Sequence, residues 1–133
     1  MIEHFAETRV RYAETDQLQS AHHANYIVWF ELARVELMKS LGWDYAGMEK
    51  AGYWMPVLEV CVHYLKPLFF DDLVQIRVFV EERPSARIKF NYEIFNSQQH
   101  KVSQGYTVHG FMNAQNRAIK PPRAFIKKMQ SYF

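Results

Sequence analysis

The chain has a single cysteine, Cys61, which excludes an intrachain disulfide and fits a reducing compartment. No run approaches the ~18 apolar residues of a membrane span. Met1 to Thr8 carries Glu3, His4 and Glu7 in place of the apolar core of a secretory signal. A cytoplasmic protein with no membrane partner is therefore expected. Charge of one sign is also scarce: 16 Lys+Arg against 14 Asp+Glu leave a formal +2, with no block of five or six like charges. Nothing resembles a nucleic-acid footprint. No internal repeat, linker or low-complexity segment divides the chain. What it does have is core material. At 49% hydrophobic and 16% aromatic it cannot stay disordered, and 133 residues suit one domain, read as 1–133, with little room for a separate cofactor-binding unit.

Thr8 to Tyr12 reads as a short strand and Ala13 to His22 as a polar loop. From Ala24 to Leu41, Tyr26, Ile27, Phe30, Ala33, Leu37, Met38 and Leu41 recur at three- and four-residue steps, predicting a long helix that Gly42 stops. The period then changes to two. Pro56 to Leu65 reads as a strand, Val74 to Val80 as a second, Ile88 to Ile94 as a third and Val102 to Met112 as a fourth. Turns at Arg83-Pro84-Ser85 and Asn96 to His100 make this half an antiparallel meander. Pro121 and Pro122 open a short last helix. One long apolar helix is the available cover for one sheet face, so an α+β domain with a curled antiparallel sheet around a central helix follows. The remaining aromatic surface predicts a homo-oligomer.

The most informative stretch runs from Tyr12-Ala13-Glu14-Thr15-Asp16 to His22-His23-Ala24-Asn25-Tyr26. An acidic loop leads straight into a helix N-terminus, whose free N–H groups and dipole favour negative charge. Acyl transfer needs that neighbourhood, with a base or nucleophile on one side of a carbonyl and donors aimed at its oxygen. By spacing alone, Asp16 as a simple Asx-turn residue is the competing reading.

The runs Tyr12-x-x-Thr15-Asp16, His23-Ala24-Asn25-Tyr26 and Phe30-Glu31-x-Ala33-Arg34 resemble the signature of the 4-hydroxybenzoyl-CoA thioesterase-like acyl-CoA thioester hydrolases of the hotdog fold. The resemblance continues through Pro56-Val57, Tyr64-Leu65-x-Pro67 and Asp71-Asp72 to the Arg117 region. It implies a helix wrapped by an antiparallel sheet, homodimers or homotetramers with intersubunit sites, and an acyl-CoA substrate. It also implies that Asp16 stands where the catalytic carboxylate does, with the His23 backbone N–H polarising the thioester carbonyl and Tyr26, closing the same run, a third catalytic candidate. Where many members carry Gly three residues after the Asp, this chain has Gln19, so a differently shaped loop is expected, with Gln19 a candidate to touch a polar acyl group and plain exposure to water the competing reading.

Other residues carry weaker signals. Glu59 shares a strand face with Cys61 and His63 and is a candidate for the acyl pocket; the Cys–His pair invites a nucleophile reading, against that of a small core thiol. His22 and His23 lack the remaining ligands of a metal site, so no metal and no cofactor are expected. Arg83, Arg87 and Lys89 around Pro84 are candidates to meet the phosphates of coenzyme A, together with Arg117, Lys120 and Arg123. The leading function is acyl-CoA hydrolysis. The alternatives are a non-catalytic acyl-binding module and a hotdog dehydratase, although the latter needs an acidic residue on the central helix paired with a His.

Overall fold

The computed structural model describes residues 1–133. Its long helix α1 spans Asn25–Ser40, one residue shorter at each end than the periodicity predicts. Tyr26, Trp29, Phe30, Ala33, Leu37 and Met38 form its buried face, and Gly42, at φ +80°, supplies the left-handed residue that ends it. A second helix, α2 (Tyr45–Lys50), follows; the Asp44 carboxylate caps it by accepting the Gly47 N–H at 3.0 Å. The last helix, α3 (Arg123–Gln130), buries Phe125 and Met129.

Five strands make one sheet: β1 (Ile2–Arg9), β2 (Val57–Tyr64), β3 (Leu73–Val80), β4 (Ile88–Phe95) and β5 (Lys101–His109). All pairs are antiparallel, in the order β1-β3-β4-β5-β2. Two expectations are corrected here. The first strand lies earlier than Thr8 to Tyr12, and Tyr12–Glu14 is a turn of 3-10 helix. The meander holds only for β3, β4 and β5: β2 does not pair with β3 but crosses to the far edge beside β5. Eight residues, Leu65 to Asp72, separate β2 from β3, enough to cross rather than turn.

Alternate residues of the sheet face α1. Val74, Ile76, Val78 and Val80, then Ile88, Phe90, Tyr92 and Ile94, are all buried on that side. Phe30 of α1 stacks on Tyr92 with ring centroids 4.2 Å apart and planes 7° from parallel. Gly105 makes room for it, since a Cβ there would lie 2.1 Å from the Cys61 carbonyl oxygen and 3.0 Å from the Phe30 ring. Replacing Phe30 with Ala would cost about 3–5 kcal/mol by the usual scale for a buried ring. The result is a rigid base from which the N-terminal end of α1 projects toward the loop carrying Asp16.

Candidate active site

The segment before α1 folds back on itself as a miniature ladder. The His22 N–H donates to the Glu14 carbonyl at 2.7 Å, Thr15 bridges Ala21, and the Asp16 N–H donates to the Ser20 carbonyl at 3.1 Å. At the tip, the Asp16 side chain accepts the Leu18 N–H through Oδ1 at 2.9 Å, while its other oxygen accepts nothing from the chain. The turn reading and the functional reading of Asp16 are thus compatible: one oxygen makes the Asx turn and the other is free. Gln19 closes the turn at φ +66°, donating its N–H to the Asp16 carbonyl at 2.9 Å. That is the left-handed conformation a glycine adopts without strain. The Gln19 side chain is exposed.

The other end of the ladder is the helix start. Within His22 to Tyr26, His22 donates to Glu14, Ala24 to the His22 ring at 3.3 Å, Asn25 to the His22 carbonyl at 3.0 Å and Tyr26 to the His23 carbonyl at 3.4 Å. Only the His23 N–H has no partner in the chain. It stands at the positive end of a 16-residue helix, where a developing oxyanion is stabilised. Three contacts hold this end in place. The Tyr64 hydroxyl donates to the His23 carbonyl at 2.8 Å. The Tyr26 ring packs edge-on against both Tyr64 and Trp29, with centroids 4.9 Å away in each case. The buried Glu14 carboxylate accepts the Arg11 N–H at 2.8 Å and the Trp29 indole N–H at 3.3 Å.

A family model described as the thioesterase-like superfamily matches residues 10–129. The chain belongs to the thioesterase-like superfamily. The "Putative acyl-CoA thioesterase YneP" of Bacillus subtilis is 40% identical over 90 residues, which are 68% of this chain and 65% of that relative, so the chain spans just under two thirds of it. A "Putative esterase" of Aquifex aeolicus is 35% identical over 76% of this chain and 78% of its own length. Among solved structures, the DHNA-CoA thioesterase of Staphylococcus aureus superposes with a TM-score of 0.91 at 34% identity, covering 99% of this chain and 89% of that one. The hotdog architecture expected from the sequence is the one observed.

Within this superfamily fold the remaining candidates separate. Tyr26 is 3% exposed, burial with the neighbouring Tyr64 pushes its phenol up to about 12, and its ring packs under the helix start. Glu59 lies on the sheet face turned away from α1, where its Oε1 accepts the Tyr106 hydroxyl at 2.7 Å. Cys61 and His63 share that face, with Sγ 3.5 Å from Nε2, and neither side chain hydrogen-bonds the Asp16 loop. Arg83 and Arg87 are exposed in and after the β3–β4 turn, and Arg87 lines a cleft of about 380 Å³ with Pro56, Leu58 and Asn116. Lys89 is half-buried, 4.5 Å above the Tyr106 ring and 3.7 Å from Glu82. No group of three or more potential metal ligands occurs. Glu14, Asn25 and Tyr64, which hold the ladder to the helix, carry no chemical signal of their own in the sequence. The positions of Glu14 and Asn25 inside the Tyr-x-Glu-Thr-Asp and His-Ala-Asn-Tyr runs, and of Tyr64 at the head of Tyr-Leu-x-Pro, are the only clue.

Proposed function

We propose that the protein hydrolyses an acyl-CoA thioester to the free acid and coenzyme A, with Asp16 and the His23 N–H as its working groups. The observation that carries this reading is the unpaired His23 N–H at the positive end of α1, joined by the ladder to a carboxylate with one free oxygen. The thioester carbonyl oxygen accepts the His23 N–H. A water oxygen bonds to the carbonyl carbon as the free Asp16 oxygen takes its proton, and the helix end holds the resulting oxyanion. Collapse breaks the C–S bond, and the proton on Asp16 passes to the departing sulfur. Direct attack by Asp16, giving a mixed anhydride that water then opens, uses the same two groups.

Relatives support the substrate class: YneP bears an acyl-CoA thioesterase name, and the 34%-identical S. aureus structure is a DHNA-CoA thioesterase. Arg83, Arg87 and Lys89 are the cations assigned to the nucleotide phosphates, with Gln19 and Glu59 reaching substrate at the mouth. Glu59 bonds Tyr106 and Arg87 lines the cleft with Pro56 and Leu58, neither contacting the Asp16 loop, and in this reading both serve the site of a second copy. The edge of β2 supports such a copy: it is unpaired on its outer side, and Val57, Leu58 and Val60 are 49%, 50% and 41% exposed. The experiment is thiol release from a panel of aromatic and aliphatic acyl-CoAs, with light scattering on the same preparation. Catalytic release by a dimer or tetramer is expected; acyl-CoA bound but unchanged would favour a binding module, and a 15.9 kDa species would remove the intersubunit site.

A further inference from the structure

We propose that Asn25 is a positioning residue that locks the Asp16 loop and the His23 N–H into one register, an inference that rests on the site described above. Its carboxamide nitrogen donates two hydrogen bonds, to the Glu14 carbonyl at 2.8 Å and to the His22 carbonyl at 3.2 Å. Both acceptors are backbone oxygens, so only the NH2 end of the side chain can face them. This is the reverse of helix capping, in which an Asn oxygen accepts from free N–H groups. Asn25 is the first residue of α1, yet it turns back and bonds the two strands of the ladder that precede the helix.

Each acceptor has a consequence. Glu14 lies two residues before Asp16, and its carbonyl also receives the His22 N–H at 2.7 Å, so Asn25 clamps the base of the loop that presents the carboxylate. The His22 carbonyl belongs to the same peptide unit as the His23 N–H. It accepts both the Asn25 side chain at 3.2 Å and the Asn25 backbone N–H at 3.0 Å. Two bonds to that oxygen fix the rotation of the peptide plane and polarise it, which makes the N–H a stronger donor. One side chain thus aims the carbonyl-binding donor and anchors the loop of the attacking group. Misplacement by about 1 Å at such a site costs up to ~10²-fold in rate.

The test compares Asn25→Ala, Asn25→Ser and Asn25→Asp in the full chain, on the acyl-CoA turned over fastest. Asn25→Ala should lower kcat roughly 10- to 100-fold with KM within about twofold of the original, since the interaction acts on the reacting geometry rather than on substrate binding. Asn25→Ser, which keeps one donor, should fall between. Asn25→Asp, which sets carboxylate oxygens against two carbonyls, should be the slowest. The second measurement adds Asn25→Ala to Asp16→Asn: the further loss should be severalfold smaller than in the unsubstituted background, because the loop it anchors no longer carries the carboxylate. Equal losses in the two backgrounds, or a rise in KM at unchanged kcat, would overturn the inference. So would full activity of both Asn25→Ala and Asn25→Ser while Asp16→Asn is inactive. Full activity of Asp16→Asn would instead overturn the reading of the site on which it rests.

Discussion

His109 is fully buried beneath α1 at the end of a chain of donors. The Arg34 guanidinium donates to the Tyr92 hydroxyl at 3.1 Å, Tyr92 pairs with Thr107 at 2.7 Å, Thr107 with His109 Nε2 at 2.8 Å, and His109 Nδ1 faces the Met55 carbonyl at 3.4 Å. A carbonyl only accepts, so Nδ1 carries the proton and Nε2 accepts from the Thr107 hydroxyl; every bond then runs in one direction and the ring is neutral. Protonating Nε2 would reverse Thr107 and Tyr92 in turn and set a second cation near Arg34. Burial, reinforced by the Arg34 charge and opposed by the Met55 carbonyl, pulls this imidazole from its ordinary 6.5 down to about 4. The unfolded chain therefore binds a proton below about pH 6.5 that the folded chain refuses until about pH 4. Stability falls with pH across that window, by about 3 kcal/mol at ~1.36 kcal/mol per tenfold change in proton affinity, and is unaffected by this group above pH 7. Urea unfolding at closely spaced pH values, for the protein and for His109→Gln, isolates the effect from the carboxylates that both share. The difference between the two curves should shrink steadily from pH 6.5 to pH 4. Parallel curves would refute the buried-neutral assignment.

Gln19→Gly should stabilise the protein by about 0.5–1 kcal/mol, because glycine relieves a left-handed φ at the cost of a freer unfolded chain; a thermal melt that drops would show the Gln19 side chain holding the loop. Arg87→Ala should raise KM for acyl-CoA while sparing an acyl-pantetheine that lacks the nucleotide, and equal losses on both substrates would move the phosphate site elsewhere. Glu14→Gln should cost about 1–3 kcal/mol, because an amide nitrogen replaces one of the two oxygens that accept the Arg11 and Trp29 N–H groups; an unchanged melt would contradict their role.

The parts legible in the sequence are those with strong local periodicity. The apolar steps of α1 and the alternation of β3 and β4 come from one buried face each, so spacing alone locates them. β1 was harder because Phe5 points outward and His4 is only half-buried, which spoils the alternation. The helix α2 is too short for a period, although Asp44 three residues before Gly47 is a cap signal. The place of β2 beside β5 is a long-range choice that no local pattern encodes. At the site, the acidic loop and helix start were readable as chemistry. What holds them, the Glu14 carboxylate under Trp29 and the Asn25 carboxamide across the ladder, depends on a fold-back that spacing does not reveal. The left-handed φ of Gln19 is hidden for the same reason, since it comes from the closing of that fold-back and residue type does not announce it.

The account rests most directly on Asp16. Asn has nearly the same shape and keeps the oxygen that accepts the Leu18 N–H, so Asp16→Asn preserves the turn while removing the carboxylate that takes a proton or attacks. Steady-state kinetics on the best acyl-CoA of the panel, with a melt on the same preparation, is the deciding measurement. A fall in kcat of roughly 10²–10⁴-fold, the scale of losing a positioned base, at nearly unchanged melting temperature is the predicted result. Near-normal turnover, with or without a loss of about 1 kcal/mol in stability, would make Asp16 a turn residue and remove it from the mechanism.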